Sequence, residues 1–99
     1  MIRIYADRRG ERCRFFATGH AEGSAERDVV CAGVSALAGA LVLHAVAVPC
    51  RHLRYSMAPG EVFLSCNGLG EGLDLVLRGL EAIAERYPHQ VRIEQLTTK

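Results

Sequence analysis

A histidine and a cysteine in the first third of the chain are the residues best suited to chemistry. His20 and Cys31 are separated by ten residues, and residues 19–27 form a polar, glycine-containing segment without helical or strand periodicity. Nine residues is long for a connection in a compact domain, and such loops often carry function. If the loop folds back, the imidazole reaches the thiol. The imidazole can then take the thiol proton, and the thiolate can attack a carbonyl carbon.

A predicted helix after this loop strengthens the interpretation. Asp28 is a good N-cap residue, which places Cys31 at the third helical position, in the first turn. Unpaired N–H groups and the helix dipole favour negative charge there, so they favour the thiolate form of Cys31. The same N–H groups can bind an oxyanion. Ser35, one turn after Cys31, can hydrogen-bond near the site, and Asp28 can orient His20 instead of only capping the helix.

A structural interpretation of these residues stays open beside the chemical one. A cysteine in an apolar helix is often a small buried hydrophobe, as Cys31 would be, and a loop histidine such as His20 is often solvated. Ser35 is equally suited to packing. The residues alone do not decide between the two interpretations.

The four cysteines predict free thiols. They lie 16 to 19 residues apart with no CxxC pair, and the chain opens on an alternating, charged segment and not on an export signal. Both observations favour reduced thiols in the cytoplasm over a disulfide framework. We expect no metal and no cofactor, since structural zinc sites use closely spaced ligand pairs. Core packing is the expectation for the three others: Cys13, Cys50 and Cys66.

The elements that must position these residues follow from periodicity. Alternating apolar residues predict two hairpins, the first turning near Gly10 and the second through residues 58–60. Helical spacing predicts two helices, and one more strand ends the chain. The predicted ranges, in order, are strands 2–6 and 12–18, helix 28–46, strands 51–57 and 61–66, helix 71–87 and strand 90–96. The ββαββαβ order predicts an α+β fold, a single domain over residues 1–99 with two helices on one face of a mixed or antiparallel sheet.

The first predicted helix is unusually apolar. No charged side chain occurs between Val29 and Val48, a length that could span a membrane. Its alanine- and glycine-rich composition, with Asp28 at the start and His44 inside, indicates a buried core helix instead. One sheet face and one helix cannot cover all its sides, and its small-residue side suits another helix. We therefore expect a homodimer and no membrane contact.

Charge points to no particular partner. The formal net charge is +1, so no strong overall field favours nucleic acid, and nucleic acid is not an expected partner. Arginines do cluster locally, at Arg8, Arg9, Arg12 and Arg14. A solvated hairpin edge is the first interpretation of this cluster, and docking to an acidic or RNA surface is the alternative.

Two sequence blocks resemble a known family. Gly19-His20-Ala21 and residues 28–37, DVVCAGVSAL, are similar to the signature of the ribosomal-processing cysteine protease (Prp) family, which is GHA followed by D-[IV]-V-C-A-x-x-S-A. The order of elements and the chain length are also similar. The resemblance implies a homodimeric endopeptidase that removes an N-terminal extension from large-subunit ribosomal protein twenty-seven. By position, His20 matches the catalytic histidine and Cys31 the nucleophile, and Gly19, Asp28 and Ser35 match the motif positions around them.

The chain departs from the family pattern in the loop. Residues 22–27 are about one residue shorter than usual, and Arg27 stands where a glycine or histidine is expected. This departure bears on substrate fit more than on chemistry. The alternative function is a non-catalytic ribosome-associated module on the same fold, binding protein or RNA through the arginine-bearing hairpin.

Overall fold

Five strands and two helices make up the molecule. The computed structural model describes residues 1–21 and 27–98, with the backbone only for the last four of these. The elements are β1 (Ile2–Arg9), β2 (Arg12–Thr18), α1 (Arg27–Ala47), β3 (Arg51–Ala58), β4 (Glu61–Asn67), α2 (Gly72–Arg86) and β5 (Val91–Thr98). The ββαββαβ order is the predicted one, and each observed boundary lies within a few residues of its prediction. The shortened loop falls largely on residues 22–26, outside the described residues.

The strands form one mixed sheet in the order β3-β4-β2-β1-β5. Neighbours pair antiparallel except β1 and β5, which are parallel. The connection through α2 allows this, because a parallel neighbour needs a crossover that carries the chain back across the sheet. The predicted α+β class is therefore confirmed.

Both hairpins turn through two residues, and each turn contains a glycine with positive φ. The β1–β2 hairpin closes at the Arg9–Arg12 pair and the β3–β4 hairpin at the Ala58–Glu61 pair. Gly10 has φ +58° and Gly60 has φ +75°. Only glycine adopts such values without steric cost, and tight hairpin turns require them. The prediction of a positive-φ glycine in the first hairpin is confirmed.

Within the described part of the chain, one side of helix α1 is covered and the other is exposed. Its buried residues face the sheet and α2, and they are Val30, Val34, Ala38, Leu41, Val42 and Ala45. The opposite side, which includes Val29, Leu43 and Val46, is exposed. The helix is long and apolar enough to cross a membrane, a test that core helices of soluble proteins also pass. The expectation of burial is met on the side that packs against the sheet.

Helix α2 has the predicted amphipathic stripe, with Leu73, Val76, Leu77 and Leu80 buried. It packs closely on α1 through glycines. A Cβ at Gly79 would lie 2.9 Å from Leu37, and one at Gly33 would lie 3.1 Å from Ile83. Missing side chains let the two helices approach, which holds α1 in place beside the sheet.

Candidate active site

A groove of about 350 Å³ opens where α1 meets the end of β2 and the β3–β4 hairpin. It brings together four of the five predicted site residues: Gly19, His20, Cys31 and Ser35. The fifth, Asp28, does not line it. The rest of the lining comes from Ile2, Ala17, Thr18, Val34, Ala38 and residues 57–62. The groove is mainly apolar, with a few polar groups near the thiol.

Backbone hydrogen bonds hold His20 at the groove. Gly19 donates its N–H to the carbonyl of Gly60 over 2.9 Å, and the amino group of Met1 donates to the carbonyl of His20 over 2.8 Å. Gly19 has φ +105°, and a Cβ there would overlap the Met1 carbonyl oxygen. Glycine is therefore required at this position, because it lets the chain leave β2 at an angle that presents the next side chain to the groove.

The imidazole of His20 lies directly on the β3–β4 turn. A Cβ added at Gly60 would overlap the ring, reaching 2.7 Å from Cε1 and closer still to Nε2. Gly60 therefore has two roles: it allows the tight turn, and its lack of a side chain leaves space for the His20 ring. Sequence reasoning predicted Gly60 as a turn residue only. No local signal marks its contact with His20, since the two residues are 40 positions apart.

The side chain of Cys31 is half-buried in the wall that α1 contributes to the groove. Ser35 is exposed one turn later, and Val34 and Ala38 are buried beside them. Because α1 begins at Arg27, Cys31 is its fifth residue and not its third. In the regular N–H(i) to O=C(i−4) ladder its own N–H is already paired. The Cys31 N–H is therefore not available to a substrate oxyanion in a regular helix.

The predicted N-cap role of Asp28 is wrong, because the residue lies inside the first turn of α1. Its carboxylate is 92% exposed and lies 3.6 Å from Nε of Arg27. An acidic group in the first turn still complements the helix dipole. Among the described residues its ion-pair partner is Arg27, so this arrangement does not support the orientation of His20 by Asp28.

The remaining three thiols lie away from the groove. Cys13 and Cys66 are buried and are partners across β2 and β4. Cys50 is half-buried, and its thiol donates to the carbonyl of Ala45 over 3.0 Å. All four cysteines are free. Within the described part of the chain, no cluster of histidine, cysteine or acidic residues has the arrangement to hold a metal ion.

Comparison with protein families identifies the chain. The model of the cysteine protease Prp family matches residues 1–92. The chain belongs to the cysteine protease Prp family. The resemblance seen in the two sequence blocks is therefore confirmed, and the protein is a cysteine protease. A comparison with curated protein sequences found no match.

Solved structures share the fold of this protein. The ribosomal processing protease Prp from S. aureus in complex with a substrate peptide has a TM-score of 0.81 at 21% identity, covering 97% of this chain and 100% of that chain. The same protease with a covalently linked product peptide has a TM-score of 0.78 at 24% identity, with the same coverage. SMU.848 from Streptococcus mutans has a TM-score of 0.73 at 25% identity, covering 99% of this chain and 96% of that chain.

Burial distinguishes two of the four thiols, Cys13 and Cys66, from the others. Desolvation raises the pKa of Cys13, and it raises the pKa of Cys66 to about 12. Both are therefore protonated at neutral pH, and thiols react with alkylating agents as thiolates. With iodoacetamide at pH 7, followed by peptide mass mapping, we expect the two buried thiols to be labelled only after unfolding. Cys31 and Cys50 are both half-buried, so burial does not separate them. We expect Cys31 to be labelled about tenfold faster than Cys50, because Cys31 shares its groove with His20 whereas the Cys50 thiol donates to the Ala45 carbonyl. Equal labelling of Cys31 and Cys50 would contradict a special environment for Cys31.

Proposed function

We propose that Cys31 is the nucleophile and His20 the general base of peptide-bond hydrolysis. One observation carries the proposal: of the four thiols, Cys31 alone lines the groove that the His20 imidazole also lines. A cysteine protease needs a thiol that the substrate can reach and an imidazole that can exchange protons with it.

The first half of the reaction forms an acyl-enzyme. His20 takes the proton of the Cys31 thiol, and the thiolate attacks the carbonyl carbon of the substrate peptide. The carbonyl oxygen becomes an oxyanion in the tetrahedral intermediate. When the intermediate collapses, the C–N bond breaks and the imidazolium gives its proton to the leaving amine. The amine product departs, and the acyl group stays on sulfur as a thioester.

The second half returns the enzyme to its resting state. A water molecule enters the groove and loses a proton to His20 as its oxygen attacks the thioester carbon. The C–S bond then breaks, the acyl product leaves as a carboxylic acid, and the proton returns to the Cys31 sulfur. No cofactor or metal takes part in this sequence.

The hydrogen bonds at the groove narrow the choice of oxyanion donors. The Gly19 N–H already donates to Gly60, and the Cys31 N–H is paired within the helix. The hydroxyl of Ser35 lines the groove one turn from the thiol. We assign Ser35 as a polar donor to the bound carbonyl group, with the helix dipole at the start of α1 adding positive potential.

We further propose a substrate peptide from ribosomal protein processing, namely the N-terminal extension of large-subunit ribosomal protein twenty-seven, cleaved in the cytoplasm. Family membership and the peptide-bound S. aureus relative support this substrate class. The groove fits an apolar segment, because Val34, Ala38 and Met57 line it beside the thiol.

The test is cleavage of a synthetic peptide that spans the extension junction of the same organism's ribosomal protein, followed by mass spectrometry. A peptide of the same composition in scrambled order is the control. We expect one cut in the junction peptide and none in the scrambled one. Equal turnover of the two peptides, or of neither, would overturn the substrate assignment. Turnover of neither would favour the non-catalytic binding module.

We also propose a homodimer built on the exposed side of α1. At helical spacing this side presents an uninterrupted apolar stripe, made of Val29, Ala32, Ala36, Ala40, Leu43 and Ala47. Small residues allow two helices to approach closely, and a twofold axis pairs one stripe with its own copy. Tyr55 and Met57, both exposed on the neighbouring edge strand β3, extend the apolar surface.

A pair of matched leucines tests this interface. Leu43 lies in the stripe and Leu75 lies on α2, and both are 72% exposed. We expect a dimer for the wild type at micromolar concentration in analytical ultracentrifugation. Leu43→Glu should shift it to monomer, because an interface would bury unpaired charges, whereas Leu75→Glu should leave it dimeric. A monomeric wild type, or equal effects of the two variants, would contradict the proposal.

A further inference from the structure

The sheet face opposite the helices carries a row of aromatic side chains across its three central strands. Tyr5 of β1 pairs with Phe16 of β2, and Phe16 pairs with Phe63 of β4. The Tyr5 and Phe16 rings stack with centroids 6.2 Å apart at 28°, and Phe63 is 36% exposed. These three residues, here called the aromatic row, line a shallow groove of about 330 Å³. In the described part of the chain, both helices pack on the opposite face, where the buried core lies.

Arginines flank the aromatic row on both sides. On one side, Arg3 lies two residues before Tyr5 on β1 and pairs with Arg92 of β5. On the other side, Ser65 lies two residues after Phe63 on β4, and it pairs with both Arg14 of β2 and Arg54 of β3. The next pair beyond them is Arg9 with Arg12. The strand register thus gathers six arginines on a face whose centre is aromatic, a concentration that the net charge of +1 does not reveal.

Nearby carboxylates neutralise only part of this charge. Asp7 accepts a hydrogen bond from Arg14, which holds the pKa of Asp7 below its ordinary value, and its second oxygen lies 3.4 Å from Arg9. Arg3 lies 3.4 Å from Glu94. With Glu61, which belongs to the same face by register, the described part of the chain sets three carboxylates against these six arginines. The face is therefore cationic around an aromatic centre.

We propose that this face binds single-stranded RNA. In this row Phe63 is exposed, and Tyr5 and Phe16 are half-buried. Accessible aromatic rings on the central strands of a sheet can stack bases, and flanking arginines can contact the phosphates between them. Arginine side chains also stack on bases. A second copy of the chain fits the face less well, because a twofold axis would bring cationic rims together. The choice of RNA over DNA rests on the proposed role in ribosomal protein processing. The stacking and charge arguments do not depend on it.

The test is fluorescence anisotropy with a labelled single-stranded RNA of mixed sequence, titrated with the full chain at several salt concentrations. We expect salt-dependent binding, weaker for a duplex of the same sequence. Phe63→Ala should weaken binding about tenfold, because the variant loses the ring on which a base stacks, and Phe63→Tyr should keep the affinity. Arg54→Gln should lower the salt slope by about one. Leu75→Ala, a change at an exposed leucine on α2, is the matched control.

Three results would overturn the proposal. The first is no salt-dependent binding of the wild type. The second is that the wild type and Phe63→Ala bind the single strand with equal affinity, or that the wild type binds the single strand and the duplex with equal affinity. The third is loss of a dimer in Phe63→Ala by ultracentrifugation, which would make the face an interface between copies. Peptide cleavage is measured on the same variants and should not change, so failure of RNA binding stays distinct from failure of the protease assignment.

Discussion

Replacement of Cys31 by alanine is expected to abolish cleavage of the junction peptide, lowering kcat/KM by at least about a thousandfold. No other thiol lines the groove, so in the proposed mechanism the variant has no nucleophile to form the thioester. Replacement of His20 by alanine should lower kcat/KM by about 10²–10⁴-fold, the usual contribution of a positioned acid–base group. Initial rates at several substrate concentrations measure both effects.

Cys50→Ser is the matched control for Cys31→Ala. Cys50 is also half-buried, and serine keeps its donor to the Ala45 carbonyl. We expect its kcat/KM to stay close to the wild-type value. Residual cleavage by Cys31→Ala above about a tenth of wild type would exclude Cys31 as the nucleophile, because removal of the attacking atom leaves no partial mechanism of that size.

Replacement of Gly60 by alanine is the second change with a large expected effect. The added Cβ would overlap the His20 ring, so the imidazole must move away from the position it holds in the groove. A displacement of about 1 Å can cost about 100-fold in rate. We expect kcat to fall by about 10- to 100-fold while KM changes little, and the rate of Cys31 alkylation to fall with it. Gly60 touches no reacting atom and acts as a positioning residue.

Gly10 provides the matched control for the Gly60 variant. It occupies the other two-residue hairpin turn with φ +58°, and a Cβ there would meet nothing within 4 Å. Both alanine variants carry a similar backbone penalty of about 1–2 kcal/mol, visible as a lower melting temperature. Only Gly60→Ala should also lose activity. Equal kcat values for the two variants would show that Gly60 does not position His20.

Local periodicity was sufficient to predict the elements of this fold. Alternation marked the hairpins, the positive-φ requirement marked Gly10, and the 3.6-residue stripe marked α2, because each signal lies within a few consecutive residues. The start of α1 was less well determined. The sequence predicts Asp28 as the N-cap, but helix boundaries shift by one or two residues without a change in pattern. That shift moves Cys31 from the third to the fifth helical position and removes its N–H as an oxyanion donor.

Contacts between distant segments could not be predicted. The contact between the His20 ring and Gly60 depends on how the β3–β4 hairpin lies against the end of β2. The pairing of β2 with β4 in the sheet determines that arrangement. The aromatic row on the sheet face opposite the helices could not be predicted either. Tyr5, Phe16 and Phe63 are unremarkable in sequence, and they form a row only through the strand register. The net charge of +1 sums over the whole surface, so it does not reveal that one face of the sheet is cationic.

The most direct test of Cys31 as the nucleophile is detection of the acyl-enzyme. The wild-type chain is mixed with the junction peptide, quenched in acid within the first turnovers, and mapped by mass spectrometry, with His20→Ala and Cys31→Ala treated in parallel. We predict that the N-terminal fragment of the substrate is carried as a thioester on Cys31 in the wild type and is absent from Cys31→Ala, which also leaves the peptide uncut. An acyl group on Cys13, Cys50 or Cys66, or continued cleavage by Cys31→Ala, would contradict the assignment.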